Sequence, residues 1–199
     1  LLSGGSGKRL CPLSNNVRSK QFLPLLEKED GTIESMVQRV VRQAKAAGLT
    51  NAITLATNTS QLDIITNQLG DTVSVVTEPE CRDTFPAIAL AASYLHFAKC
   101  CADDEVIVIM PCDPYTEADY FETIGKMVEC VKRDVAELVL MGITPTYPSE
   151  KYGYVMPIAS DNEYKMVSYF TEKPTVERAK ELLAENAYWN GGVFAFRLG

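Results

Sequence analysis

The chain has 199 residues, of which 46% are hydrophobic and 23% are charged, and its formal net charge is −7. These values are typical of one globular domain with a complete core, and a sequence pI near 4.8 argues against a broad nucleic-acid surface. No apolar run reaches the roughly 18 residues that span a bilayer. We therefore expect a soluble protein whose partners include neither membrane nor nucleic acid.

Strands and helices alternate along the first 141 residues, as judged from the spacing of apolar side chains. Such alternation predicts a doubly wound α/β fold with a mostly parallel sheet. The run over 105–110 is the most continuous β-branched one and is expected to be a central parallel strand. After a first strand ending at Leu2, the predicted elements are a helix over 33–47, a strand over 51–57, a helix over 58–70, a strand over 73–76, a helix over 84–95, a strand over 105–110, a helix over 116–131 and a strand over 136–141.

Helix boundaries are predicted from residues that favour helix ends. Glycine is common just after a helix, and a small polar residue followed three positions later by an acid or amide indicates a capping box. The predicted signals are Gly48 after the first helix, Asn58 with Gln61 before the second, Thr84 before the third, and Thr116 with Asp119 before the fourth.

The pattern changes from Tyr152 onward, where strands predominate. Strands are predicted over 154–158, 164–170 and 192–197, with a short helix near 175–187. This part is expected to be a β-rich subregion added to the sheet rather than a separate domain.

A glycine-rich, cationic stretch follows the first strand. Gly4, Gly5 and Gly7 fall within four positions, and glycine lets a ligand approach the main chain closely. Successive N–H groups in such a turn form an anion-binding nest. Residues 1–26 contain no acid and four cations, which are Lys8, Arg9, Arg18 and Lys20. A polyphosphate site is therefore the favoured interpretation over a flexible Gly/Ser turn.

Two common phosphate-binding loops are excluded by spacing. A Walker loop requires a glycine five positions before Gly7, where Leu2 stands, and a serine or threonine at the position of Arg9. The dinucleotide-binding fingerprint requires a third small residue where Leu10 stands.

Asp113 comes directly after the strand predicted over 105–110. Its carboxylate is therefore expected at the carboxyl edge of a parallel sheet, where open α/β folds bind ligands. A turn or cap residue is the alternative. Magnesium suits a functional Asp113, since this ion takes one or two carboxylates together with phosphate oxygens and water.

No covalent nucleophile is indicated. The six cysteines show no CxxC pair, and His96 is the only histidine, so a zinc site and Cys–His catalysis are not expected. Reduced thiols fit a cytoplasmic location.

Ten segments in order resemble the sugar-1-phosphate nucleotidyltransferases and, within that family, the mannose-1-phosphate guanylyltransferases. They span essentially the whole chain, so the match is more specific than any one motif. The segments are 2–10 (LSGGSGKRL), 12–14, 20–23 (KQFL), 78–79, 82–84 (RDT), 86–88, 111–113 (PCD), 152–154 (YGY), 172–174 (EKP) and 189–194 (WNGGVF). Three positions depart from the family pattern: Cys11 stands for a common Trp, Pro114 for His and Gly191 for Ser.

The resemblance implies a Rossmann-like nucleotidyltransferase fold and a role for each site residue. The implied catalytic residues are Arg9, Lys20, Asp113 and Lys173: Arg9 and Lys20 would hold the triphosphate, Asp113 the magnesium ion, and Lys173 the sugar phosphate. An exposed lysine at a strand end is the alternative for Lys173, and Trp189 is expected in the core. The implied nucleotide-binding residues are Ser3, Gly4, Gly5, Ser6, Gly7, Lys8, Glu78, Arg82, Asp83 and Thr84, and the implied sugar-binding residues are Gly153, Glu172 and Asn190.

The implied reaction joins GTP and mannose 1-phosphate into GDP-mannose and pyrophosphate. Two alternatives stay open: the same chemistry with glucose 1-phosphate and UTP or dTTP, and a non-catalytic domain that binds nucleotide sugars. Residues 1–199 would form a catalytic domain that is incomplete at its C-terminus, with a nucleotide-binding part over about 1–145 and a sugar-binding part over about 146–199. A second metal carboxylate is expected beyond residue 199, and a homodimer is left open.

Overall fold

The computed structural model describes residues 1–3, 12–15, 18–50, 52–80, 82–160 and 162–199. They divide into two compact units, one formed by 1–139 with 195–199 and the other by 140–194. The two units are described separately below.

The first unit is built on parallel strand pairing around Leu2. The Leu2 amide donates to the Met110 carbonyl over 2.9 Å, and the Ser3 amide donates to the Ala56 carbonyl over 2.9 Å. Leu2 thus bridges Ala56 on one side and Pro111 on the other, both in parallel. The strands over Thr54–Asn58 (β3) and Ser74–Glu78 (β4) also pair in parallel. The predicted α/β fold with a parallel sheet is confirmed.

The elements of the first unit follow the predicted alternation, with one addition near the N-terminus. They are β1 (Pro24–Glu27), β2 (Ile33–Ser35), α1 (Met36–Ala46), β3 (Thr54–Asn58), α2 (Leu62–Leu69), β4 (Ser74–Glu78), α3 (Thr84–Ser93), β5 (Val106–Ile109) and α4 (Ala118–Lys132). Short 3-10 turns lie at Lys20–Phe22, Thr59–Gln61 and Gly70–Thr72, and a π-helical turn lies at Tyr94–Ala98.

The second unit contains most of the later strands. Its elements are β6 (Leu138–Ile143, which begins in the first unit), β7 (Tyr154–Pro157), β8 (Val167–Thr171), α5 (Val176–Ala184) and β9 (Tyr188–Arg197, which ends in the first unit). β7 pairs antiparallel with both β8 and β9. Tyr154, Met156, Ala179, Leu182 and Ala187 form its buried core, with Trp189 packed against it.

A β-hairpin precedes the first helix and was not predicted. β1 and β2 pair antiparallel around a turn in which the Gly31 backbone has a φ of 78°. Asp30-Gly31 is a common hairpin turn pair, and the Asp30 carboxylate accepts from the Thr32 amide over 2.9 Å. Ile33, predicted as helical, therefore lies in β2, and the helix begins three residues later.

The predicted helix ends are confirmed at one position and wrong at three. Gly48 follows α1 with a φ of 68°. Asn58 precedes a 3-10 turn, Asp83 stands at the N-cap of α3 in place of Thr84, and Glu117 stands at that of α4 in place of Thr116; none of the three makes a side-chain cap bond. At Asn58 the side chain is engaged within the turn instead, since its Oδ1 accepts from the Ser60 hydroxyl over 2.5 Å.

Buried aliphatic side chains fill the space between the sheet and helices of the first unit. Leu55, Ile65, Val37 and Val40 are completely buried there. None of the helices in the described ranges combines the length and the apolar character that a membrane crossing requires.

Replacing Ser35 should weaken α1 without altering the rest of the sheet. The Ser35 hydroxyl accepts from the Gln38 amide, and the Gln38 side chain accepts from the Ser35 amide over 2.9 Å. Loss of such a cap costs about 1 kcal/mol, which for a chain of this size lowers Tm by roughly 2–4 °C; the same substitution also removes the bond that the Ser35 hydroxyl donates to Gln68 Oε1 over 2.7 Å, so this shift is a lower bound. We expect this shift for Ser35→Ala in thermal unfolding. Ser60→Ala, at an exposed hydroxyl, is the control, and an equal shift in both variants would contradict the capping role.

Candidate active site

Lys20 and Asp113 form an ion pair in the first unit, between the Lys20 ammonium and the Asp113 carboxylate. Lys20 begins a 3-10 turn that follows the glycine-rich stretch, and Asp113 lies just beyond the end of β5. Their side chains are 43% and 33% exposed, so both remain accessible to a ligand. Two of the four predicted catalytic residues are therefore neighbours at the carboxyl edge of the sheet.

Ser3, a predicted nucleotide-binding residue, is almost completely buried. Its hydroxyl donates to Gln61 Oε1 over 3.2 Å and accepts from Gln21 Nε2 over 3.1 Å. The Ser3 hydroxyl is therefore engaged within the protein interior and is not available to a phosphate. Gly4, Gly5, Ser6, Gly7, Lys8 and Arg9 lie outside the described residues, as does Cys11.

The predicted nucleoside-binding stretch leaves the sheet at the end of β4. Glu78 is the last residue of that strand and is 7% exposed. Arg82 is exposed and binds Glu80 over 2.7 Å. Asp83 has a φ of 63° at the start of α3, a conformation that costs a non-glycine residue about 1–3 kcal/mol and is concentrated at functional sites. Thr84 is the first residue of the helix.

The carboxylate of Asp113 affects the buried Cys112 and the half-buried Tyr120. Burial, together with this negative charge, raises the pKa of Cys112 to about 12 and that of Tyr120 to about 12. The Cys112 thiol therefore stays protonated at neutral pH and cannot serve as a nucleophile. His96 lies in the π-helical turn that follows α3 and is paired with Asp103 over 3.1 Å.

In the second unit, Lys173 and Glu172 form an exposed ion pair of 3.2 Å. Lys173 has a φ of 42°, a left-handed conformation that is uncommon for lysine. Gly153 lies beneath this pair: a Cβ at that position would come within 2.8 Å of a Glu172 carboxylate oxygen and 2.5 Å of the Phe170 ring. Glycine is required at 153 because these two side chains cross it.

Asn190 is tied to the same place through its backbone. Its amide donates to the Gly153 carbonyl over 2.8 Å, while its side-chain oxygen accepts from the Gly192 amide over 3.0 Å. All four predicted residues of the sugar-phosphate half, Gly153, Glu172, Lys173 and Asn190, are therefore brought together within the second unit. Trp189 packs between Tyr147 and Tyr152 and on the unit's core, as predicted.

A magnesium ion fits the chemistry of Asp113. Within the described ranges, no group of three or more His, Cys, Asp or Glu side chains could hold a metal ion together. Magnesium does not need such a group, because it commonly binds one or two carboxylates and completes its shell with phosphate oxygens and water. The partly exposed Asp113 carboxylate can supply that protein ligand.

Gln61 is the feature of this site that the sequence did not indicate correctly. It was predicted as the distal member of a capping box, yet its side chain is completely buried and bonds to Thr57, Ser3 and Ser19. A glutamine at the end of a 3-10 turn carries no distinctive sequence signal, because its partners come from three separate segments.

Glu78→Gln should stabilise the protein at neutral pH. Burial raises the pKa of Glu78 above its ordinary value of 4.5, so the folded chain binds this proton more tightly than the unfolded chain does. The stabilising contribution is complete below pH 4.5 and is lost as the pH rises through the raised pKa. We expect Glu78→Gln to have a higher Tm than the wild type at pH 7 and an equal Tm below pH 4.

Glu80→Gln provides the matched control, since Glu80 carries the same group two residues away on the surface. It should show no such pH-dependent gain. A lower Tm for Glu78→Gln at pH 7 would mean that the folded protein favours the ionised carboxylate.

The chain is similar to known proteins over its whole length. The family model described as "Nucleotidyl transferase" matches residues 1–199. The chain is 33% identical to a mannose-1-phosphate guanylyltransferase of Sinorhizobium fredii over 99% of its own length and 38% of that protein's. It is 34% identical to the alginate biosynthesis protein AlgA of Pseudomonas syringae pv. tomato, over 99% and 41% of the two lengths. The chain thus spans about two fifths of these curated relatives.

Solved structures show the same fold. A crystal structure described as a mannose-1-phosphate geranyltransferase from Thermus thermophilus is 29% identical, with a TM-score of 0.83 over 99% of this chain and 56% of that one. A UDP-glucose pyrophosphorylase complexed with UDP-glucose shares the fold at 14% identity, with a TM-score of 0.69 over 98% and 74% of the two chains. On the full-length match to its family model, the chain belongs to the nucleotidyl transferase family.

Proposed function

We propose that this chain carries out the transfer of GMP from GTP to mannose 1-phosphate, giving GDP-mannose and pyrophosphate. The observation that carries the proposal is the contact between Lys20 and Asp113 at the carboxyl edge of the sheet. It combines a phosphate-binding cation with a carboxylate suited to magnesium. The choice of GTP and mannose 1-phosphate is supported by relatives that are named mannose-1-phosphate guanylyltransferases.

The reaction requires no covalent intermediate with the protein. An oxygen of the sugar phosphate attacks the α-phosphorus of GTP, a new P–O bond forms, and the bond to the β-phosphate breaks to release pyrophosphate. The buried, protonated thiol of Cys112 offers no competing nucleophile. Catalysis therefore rests on positioning and on neutralising the charge of the phosphates.

The residues divide this work between them. Lys20, with Arg9, would bind the triphosphate, and Lys173 would bind the phosphate of the sugar substrate. Glu172 and Asn190 would hold sugar hydroxyls near the Gly153 backbone, and residues from Glu78 to Thr84 would lie along the nucleoside. Asp113 would hold magnesium, which when bound supplies positive charge to the phosphate oxygens.

Location and assembly are part of the same proposal. Cys100, Cys101, Cys112 and Cys130 are free thiols, and free thiols fit a reducing compartment such as the cytoplasm. A homodimer is the assembly to be tested, by measuring molar mass in solution.

The direct test of function is pyrophosphate release measured with a panel of nucleoside triphosphates and sugar 1-phosphates. We expect the highest kcat/KM with GTP and mannose 1-phosphate. A preference for UTP or dTTP with glucose 1-phosphate would keep the chemistry and change the substrates. Binding of GDP-mannose without release of pyrophosphate from any pair would identify a non-catalytic binding domain.

Asp113→Asn should have opposite effects with and without magnesium. With the metal, activity should be lost, because a neutral amide is a weak ligand for a hard cation. Without it, GTP should bind more tightly by up to about fivefold, since the variant frees Lys20 from an exposed ion pair of a kind worth about 0.2–1 kcal/mol. Titration calorimetry in a chelator measures this second effect.

Lys20→Ala and Asp119→Asn complete that experiment. Lys20→Ala should weaken the binding of GTP by about 1.5–3 kcal/mol, the contribution of one charge-assisted hydrogen bond. Asp119→Asn, at an exposed acid of α4, should change neither measurement. An unchanged magnesium titration for Asp113→Asn would make Asp113 a turn residue only.

Lys173→Ala should affect the sugar phosphate and spare the nucleotide. An exposed ammonium on a flexible stem is suited to a monoester phosphate that moves during attack. We expect the KM for mannose 1-phosphate to rise by about tenfold or more, which corresponds to about 1.4 kcal/mol, with little change in GTP affinity. Arg9→Ala should show the reverse pattern.

Lys180→Ala, at an exposed lysine of α5, is the control for loss of positive charge in the second unit. Calorimetric titration of each ligand into each variant separates the two halves. If Lys173→Ala weakened the binding of GTP and left the binding of mannose 1-phosphate unchanged, the nucleotide and sugar-phosphate roles would be assigned the wrong way round.

A further inference from the structure

The buried side chain of Gln61 connects three segments of the first unit. Its Oε1 accepts from Thr57 Oγ1 over 2.6 Å and from Ser3 Oγ over 3.2 Å, and its Nε2 donates to Ser19 Oγ over 2.7 Å. Thr57 belongs to β3, Ser3 ends the N-terminal strand, and Ser19 directly precedes Lys20. All four side chains are 0–1% exposed.

Ser19 occupies the position at which a serine usually caps a helical turn. The turn Lys20–Phe22 begins after it, and the Phe22 amide donates to the Ser19 carbonyl over 3.0 Å. The Ser19 hydroxyl nevertheless makes no cap bond and is engaged by Gln61. The side chain therefore anchors the turn to the interior instead of completing the turn itself.

The residue after Lys20 is anchored to the same strand. Gln21 is 4% exposed, and its Nε2 donates to the Ser3 carbonyl over 3.3 Å and to the Ser3 hydroxyl over 3.1 Å. With Ser19 and Gln21 both turned inward, the intervening Lys20 is left partly exposed and reaches Asp113.

Asp113 takes its position from the same reference strand. The amide of the preceding Cys112 donates to the Leu2 carbonyl over 3.2 Å. Leu2 and Ser3 thus fix one partner of the ion pair through the backbone, and they fix the other through the glutamine side chains. A buried network of this kind is costly when incomplete, since an unpaired buried group costs about 1–3 kcal/mol.

We propose that Gln61 is a positioning residue that, through Ser19, holds the Lys20 ammonium beside Asp113. The catalytic consequence rests on the proposed function, while the positioning itself does not. Lysine has a flexible four-carbon stem, so the place of its amine depends on how firmly the turn beneath it is held. Breaking the link at Ser19 should let the turn move and separate the pair.

The first experiment compares two identical substitutions. Ser19→Ala and Ser35→Ala each remove a hydroxyl that is 0% exposed and that makes a 2.7 Å bond to a glutamine side chain. Ser19 directly precedes Lys20, whereas Ser35 reaches only the far end of the same turn, through Gln68 and the Phe22 carbonyl. Gln61→Met, which keeps the length of the side chain and removes its polar atoms, is the third variant; should it fail to fold, Ser19→Ala carries the test.

The readout is the Cε–Hε resonance of Lys20 in protein labelled with 13C-lysine, assigned by its absence from Lys20→Arg. Adding Asp113→Asn should move this resonance in the wild type and equally in Ser35→Ala. The movement should fall by more than half in Ser19→Ala and in Gln61→Met. An undiminished movement in Ser19→Ala would overturn the proposal, whatever reaction the protein catalyses.

The second readout is turnover with GTP and mannose 1-phosphate. Ser19→Ala should lower kcat by about tenfold to a hundredfold, the range expected from misplacing one phosphate-binding group, with little change in KM for the sugar phosphate. In a Lys20→Ala background it should have no further effect, because residues that act through one another are not additive. Additive losses would reduce Gln61 and Ser19 to a structural role. A wild type that releases no pyrophosphate would overturn the proposed function and leave the resonance measurement to decide this inference.

Discussion

The backbone pairing of Leu2 and Ser3 is the constraint on which the first unit depends. These residues lie between Ala56 of β3 and the end of β5, with parallel bridges to both sides. Leu2 and Ser3 lie at the edge where Asp113 also emerges. Because side chains at the carboxyl ends of adjacent parallel strands meet at one edge, residues more than 100 positions apart in sequence become neighbours.

Three residues of the candidate site are held in states that lower the stability of the folded protein. Glu78 is buried with a raised pKa, and Asp83 and Lys173 both have positive φ values. Backbone strain of the kind found at Asp83 and Lys173 costs about 1–3 kcal/mol per residue. The surrounding packing must offset them, as the buried core of Leu55, Ile65 and Val37 does in the first unit. Local strain at functional positions is the usual exception to agreement between sequence and fold.

The sequence was sufficient for elements whose signals are local. The alternation of β3, α2, β4 and α3 follows from apolar spacing, and Gly48 ends α1 as its lack of a Cβ favours. The hairpin around Gly31 also has a local signal, in Asp30-Gly31, but its strands are too short for apolar periodicity to indicate them. Gly191, where the family commonly has serine, has a long-range explanation: a Cβ there would lie 3.0 Å from the Met141 carbonyl oxygen.

Polar contacts between segments that are distant in sequence could not be predicted from local sequence patterns. The residue types at Asn58 and Gln61 fit a capping box, yet Gln61 is engaged by Ser3 and Ser19, which are 58 and 42 positions away. The ion pair between Lys20 and Asp113 could be anticipated only as two separate ligand-binding residues. Apolar patterns report which face of an element is buried, whereas they carry no information on which buried polar groups will meet.

Two exposed ion pairs, one in each unit, show how an acidic protein keeps lysines available for phosphate. Lys20 is paired with Asp113, and Lys173 is paired with Glu172. In the proposed reaction each acid has another partner, a magnesium ion for Asp113 and sugar hydroxyls for Glu172. Ligand binding is then an exchange of partners: an exposed pair worth about 0.2–1 kcal/mol is replaced by charge-assisted bonds to phosphate worth about 1.5–3 kcal/mol. The exchange favours the complete set of ligands, because an anion that binds either lysine alone leaves its carboxylate unpaired beside new negative charge.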